Sequence, residues 1–113
     1  MQKAKEHEEF VASKLCFDGA SRSKSSGSSF HDPIDITSKF LVIECEYTEK
    51  ESYRITKKLW KEIRMKAYGL RFPVIAFRFR EQYTHQSLDL VTLSLDDFCE
   101  LLRCYGEHWT RRN

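Results

Sequence analysis

The sequence predicts a single domain over residues 1–113, of α/β or α+β class, built as a central mixed sheet flanked by helices. Three observations predict it. Segments of helical apolar spacing alternate with β-branched apolar runs, in the order helix, strand, helix, strand, strand, helix. Hydrophobic residues make up 41% of the 113 and charged residues 32%, which suits one modest core and is too apolar for a wholly disordered chain. The longest apolar run, residues 40–43, is far short of the ~20 residues of a membrane span.

The first helical segment covers residues 4–17. Val11, Ala12, Leu15 and Cys16 share one face, and the segment stops near Asp18-Gly19. Residues 19–31 are rich in Ser and Gly, carry Arg22 and Lys24, and have little to bury. They predict a flexible loop, or an arm that orders against a polyanion through small side chains and backbone N–H groups. A hairpin strand around residues 34–37 leads into Phe40-Leu41-Val42-Ile43-Glu44-Cys45-Glu46-Tyr47, a central strand by its apolar, β-branched character. Period two puts Phe40, Val42, Glu44 and Glu46 on one face and Leu41, Ile43, Cys45 and Tyr47 on the other.

Helical spacing returns over residues 52–68. Ile55, Leu59, Trp60, Ile63 and Ala67 form the apolar stripe, Arg54, Lys57, Lys58, Lys61 and Arg64 line the opposite face, and Gly69 ends the helix. A second buried strand covers residues 73–80, with Pro73 first, where a missing N–H donor is tolerated. Residues 88–93 predict a third strand. Ser94-Leu95-Asp96-Asp97 then resembles a capping start for a last helix carrying Phe98, Leu101 and Leu102.

Composition excludes several functions. Net charge is only +2, from 19 basic and 17 acidic residues, so a nucleic-acid partner has to be argued from where charges sit. Cys16, Cys45, Cys99 and Cys104 form no CxxC pair and the four histidines are scattered, which argues against zinc and for reduced thiols in a cytoplasmic protein. The first nine residues are charged and lack the apolar stretch of a signal peptide. No Ser-His-Asp spacing, GxGxxG or P-loop is present.

What remains is a set of carboxylates: Glu8 or Glu9 on the first helix, Asp32 and Asp35 before the central strand, and Glu44 and Glu46 at its end. Acids there are costly unless solvated, paired or metal-bound. An Asp nine residues ahead of a Glu, on adjoining strand segments, brings two hard oxygen ligands together, and such a pair suits Mg²⁺. The bland alternative is that Asp35 caps a turn and Glu44 pairs with a basic residue.

Asp35-(x8)-Glu44-Cys45-Glu46, following a Gly19-Ala20-Ser21 loop, resembles the PD-(D/E)xK nuclease superfamily. Ile43-Glu44-Cys45-Glu46-Tyr47-Thr48-Glu49-Lys50 is similar to the phage and archaeal-type Holliday junction resolvases, in which such a strand precedes a basic helix. The helix with Glu8 three before Val11, the helix with Leu59-Trp60 and the Pro73-Val74-Ile75 strand extend the resemblance over residues 8–102. It implies a restriction-endonuclease-like fold and a cytoplasmic enzyme, including that of a phage-infected host cell. It also implies a homodimer acting on branched double-stranded DNA with Mg²⁺, or with Mn²⁺ in its place. Asp35 and Glu44 would be metal ligands with the Cys45 carbonyl, and Glu8 would complete the acidic cluster, being on the helical face of Val11 and Leu15. Arg22, Lys24, Lys57, Lys58 and Lys61 would contact phosphates.

Two departures stand out. Pro33-Ile34 replaces the loop Gly that precedes the family's Asp, which keeps Asp32 as a rival to Asp35. Glu46 stands where the family usually has Lys. Glu46 would act as a base or further ligand, or Lys57 or Lys58 would replace the missing lysine, or the chain would bind DNA without cutting it. A non-catalytic DNA-binding module of the same fold, and a small interaction protein whose charges are only surface, are the competing functions.

Overall fold

Leu41–Thr48 forms the middle strand (β3) because its apolar, β-branched half can be covered on both faces, and it is. The computed structural model describes residues 2–22, 34–67 and 71–112. Ahead of β3 come helix α1 (Gln2–Lys14), a 3-10 turn (Cys16–Asp18) and two short strands, β1 (Ser21–Arg22) and β2 (Ile36–Thr37). After it come helix α2 (Lys57–Lys66), β4 (Phe72–Arg80), β5 (Ser87–Thr92) and helix α3 (Leu95–Arg112). The strands make one five-stranded sheet in the order β1-β2-β3-β4-β5. Among the described strands only β3 and β4 pair in parallel, with α2 in the crossover between them, so the fold is α+β with a central mixed sheet.

The alternation predicted for β3 organises the packing. Ile43 joins Val11, Ile36, Val74 and Ala76 beneath α1, with Cys45 at the margin, while Val42 joins Ile63, Ile75 and Phe77 beneath α2. Ile36, Ile43 and Ile75 are fully buried. Each such side chain contributes about 1.5–3 kcal/mol of transfer free energy. Gly19, with φ 75°, turns the chain out of the 3-10 segment and donates its N–H to Cys16. Asp18 then accepts from Ser38 Oγ (2.7 Å) and the Phe40 N–H (3.1 Å), fastening the end of the helical segment to the β2–β3 turn.

Several boundaries differ from the sequence reading. Ser21 and Arg22 belong to a strand, not to a loop, because Arg22↔Ile36 and Ser21↔Thr37 pair across the sheet edge. Residues 23–33, with Lys24, Asp32 and Pro33, lie outside the described residues, as does Gly69. Phe40 precedes β3 and is half exposed. Helix α2 starts five residues later than predicted, because Thr56 has extended backbone and its Oγ1 accepts the Leu59 N–H at 3.1 Å, an N-cap. Arg54 and Ile55 therefore fall outside it. Ser94 caps α3 through the Asp97 N–H, as its sequence suggested. However, Phe98, Leu101 and Leu102 are 50%, 42% and 57% exposed and do not enter the core. Among the described residues no helix is long and apolar enough to cross a membrane.

Candidate functional site

The carboxyl half of β3 carries the acids, and its neighbours decide what each one meets. Register pairs Ile36 with Ile43, and the pairing ends there, with Asp35 one residue ahead of β2 and Glu44 one residue beyond Ile43 on β3. Asp35 Oδ2 accepts the backbone N–H of Cys45 at 2.8 Å, which locks the carboxylate against β3. Glu44 and Glu46 alternate with Cys45 and so face α2, where they line a cleft of about 240 Å³ with Leu59, Glu62, Ile63 and Lys66.

Lys66 is the residue the sequence reading missed. Its Nζ lies 3.6 Å from Glu44 Oε2, with both side chains largely covered, 21% and 16% exposed. It reaches the acids because it sits three residues after Ile63 and seven after Leu59, on the apolar stripe of α2. A lysine on a buried stripe is the signal that could have found it. Lys57, Lys58 and Lys61 are exposed on the helix and do not line the cleft. Lys57 and Lys58, the expected substitutes for the motif lysine, are first-turn residues absent from this lining, whereas the last-turn Lys66 is part of it.

Glu46 is held differently. Burial pushes its carboxyl above the usual range and the nearby Asp35 charge adds to this, while a hydrogen bond from the Tyr53 hydroxyl opposes it. The Tyr53 hydroxyl in turn is pushed up to about 12 by burial and by Glu46. Tyr53 therefore stays a proton donor to Glu46 across the neutral range. Burial, reinforced by Asp35, Glu8, Glu44 and Glu46, also raises the Cys45 thiol far above its usual value, so this cysteine is no thiolate nucleophile.

Glu8 does face inward, as expected over Glu9: its side chain is 16% exposed against 55%. It does not line the cleft of Glu44 and Glu46, however, because α1 covers the other face of the sheet. Arg22 Nε bonds Glu8 at 3.2 Å and its Nη1 approaches Glu9 at 3.7 Å, so this guanidinium is engaged by protein carboxylates rather than presented on an arm. Among the described residues no three of His, Cys, Asp and Glu stand together as a metal-holding group. Magnesium does not require one, since it retains waters and binds through one or two carboxylates plus substrate phosphate, and Asp35 and Glu44 offer two hard oxygen donors. No protein-family model matches the chain, and no curated protein matches it.

Proposed function

We propose that the chain is a metal-dependent, structure-selective DNA endonuclease of the junction-resolving kind, working as a homodimer. The observation that carries this reading is Lys66 beside Glu44 on the strand that also presents Glu46, with Asp35 fastened to that strand by the Cys45 N–H. Asp35, Glu44 and the Cys45 carbonyl would hold Mg²⁺ or Mn²⁺. The ion, when bound, supplies hydroxide at neutral pH and charge stabilisation at phosphorus. Lys66 does what the absent motif lysine would do: its ammonium orients a water by hydrogen bonding and offsets charge developing on the phosphate. Glu46, with its raised carboxyl and Tyr53 donor, accepts the proton of that water. Lys57, Lys58 and Lys61 on the outer face of α2 give the phosphate backbone a basic border.

A second reading is a catalytically altered DNA-binding module of the same fold. It is favoured by the carboxylates already being engaged internally, Glu44 by Lys66, Asp35 by the Cys45 N–H and Glu8 by Arg22. A synthetic four-way junction incubated with and without Mg²⁺ or Mn²⁺, resolved on a denaturing gel, separates the two. Metal-dependent nicking is expected, and Lys66→Met should reduce it on the order of 100-fold while binding persists. Salt-dependent binding without nicking under either metal would establish the second reading, and no binding would sink both.

A further inference from the structure

A second and larger cleft, of about 1070 Å³, lies between α2, the approach to β4 and the first turns of α3. Its size is at the upper end for small-molecule sites. Phe40, Trp60 and Phe72 give it an aromatic floor, with Phe40 47% exposed and the other two half-buried. Its charges are sorted by sign. Arg64 and Arg71 belong to the side formed by α2 and the approach to β4, and Lys39 adds a cation there, its Nζ 5.1 Å over the Phe40 ring. Asp96, Asp97 and Glu100 belong to α3. Among the described residues, neither of these arginines and none of these three carboxylates takes part in an ion pair. The cleft thus offers cations on one side, acceptors on the other and flat rings between.

We infer that this cleft takes one unpaired nucleotide of a DNA strand: its base among the aromatic rings, its phosphate on Arg64 and Arg71, and the N–H edge of the base on the α3 carboxylates. The inference rests on the reading that the chain binds DNA. A basic peptide would satisfy the carboxylates but set its cations against the arginines, and a plain anion would do the reverse; a nucleotide carries an anion and N–H donors at opposite ends of a flat ring. Stacking on the rings accepts every base. The carboxylates then discriminate. Guanine offers a ring N–H beside an amino group and cytosine an amino group, whereas thymine flanks its one N–H with two carbonyl oxygens that a carboxylate repels. Helix geometry also supplies the path. At 3.6 residues per turn, Trp60 and Arg64 fall on one flank of α2 and Glu62 and Lys66 on the opposite flank, with Lys57, Lys58 and Lys61 on the outer surface between. A strand held at Glu44 and Lys66 therefore reaches the aromatic cleft by crossing a basic surface.

Trp60 reports on the cleft directly. In a Trp109→Phe background it is the lone tryptophan, and its fluorescence is titrated in EDTA so that nothing depends on cleavage. A short oligothymidine carrying one central guanine should quench it with an affinity about 10-fold above that of plain oligothymidine, the discrimination of one good base-edge pair. The same guanine paired in a duplex should leave Trp60 unquenched. Asp96→Asn, Asp97→Asn and Glu100→Gln together should erase the preference while binding persists. Arg64→Gln with Arg71→Gln should weaken both strands alike and lower the salt slope by about 0.7 per arginine. Far-UV circular dichroism checks that each variant is folded. No response of Trp60 to any strand, equal affinity for the two strands, or a preference that survives loss of the carboxylates would each overturn the inference. So would quenching by the duplex guanine, or by a basic amphipathic peptide in place of DNA. Junction nicking is read separately. Nicking that persists without this binding overturns the inference alone, whereas this binding without nicking supports it and sinks only the nuclease reading.

Discussion

Lys66 and His7 are both largely covered basic groups, and the two are held in different ways. Lys66 faces a carboxylate, its Nζ 3.6 Å from Glu44 Oε2. His7, 1% exposed, donates from Nε2 to the Ala76 carbonyl at 3.1 Å, and its Nδ1 lies 3.6 Å from Asp89, whose carboxylate is already clasped by Arg78 at 2.8 and 3.1 Å. Burial pushes the imidazole below 6.5 and the Arg78 charge adds to this, with the carbonyl and Asp89 pulling the other way. The unfolded chain therefore takes up the proton first as pH falls. Stability associated with neutral His7 is complete above about 6.5 and is lost as pH falls from there through the lowered folded value. The midpoint of thermal unfolding should drop between pH 7.5 and 5, and His7→Gln should flatten that drop while lowering the midpoint overall. An equal slope in the variant would show that other groups set the acid sensitivity.

At the scale of the element, α2 divides its labour between faces. Ile63 and its stripe fix the helix to β3 and β4, and Lys66 extends that stripe to the acids. The outer face opens with Lys57 and Lys58 in a first turn that has no acidic residue. Cations at a helix N-terminus oppose the macrodipole by about 0.3–1 kcal/mol each, so their placement costs stability and calls for a use elsewhere. The joint variant Lys57→Ala, Lys58→Ala should lower the slope of log affinity against log salt by about 0.9 per lysine, equally for all DNA sequences. Unchanged slope and affinity would show the face to be merely solvated. The element was only partly legible in its residues. Leu59, Trp60 and Ile63 announce the helix, yet Ile55 fits the same spacing and hides the true start, which depends on a single Thr56 hydrogen bond. Lys66 is hidden there because its polarity marks it for the outer face while its position places it on the stripe. The Glu8–Arg22 pair joins residues whose meeting depends on β1 folding back to α1, and no local rule foretells it.

At the scale of the whole molecule, the two faces of β3 were readable from alternation alone, because both are covered and a one-residue slip would exchange them. The exposure of α3 was not readable. An amphipathic pattern says that one face wants covering, and is silent on whether the cover comes from the same chain. The placement of the acids follows from the same geometry. Glu44 and Glu46 lie in the carboxyl half of a strand in the only parallel pair of the described sheet, with the crossover helix delivering Lys66 back over them.

That parallel pair also shapes how the chain assembles in time. Thr37 pairs with Val42 and Arg80 with Ser87 across short turns, so the β2–β3 and β4–β5 hairpins close locally. Leu41 and Phe72, by contrast, are joined only after the whole α2 segment between them has been gathered in. Closing a loop of about 30 residues costs roughly 3 kcal/mol of chain entropy before any contact across it repays the loss. The seam between β3 and β4 is thus the step with the highest barrier, and two preformed hairpins meeting across it is the expected route. Val74→Ala, which thins the seam opposite Ile43, should slow refolding in stopped-flow mixing more than it speeds unfolding. An effect confined to the unfolding rate would mean that the seam zips up after the barrier has been crossed.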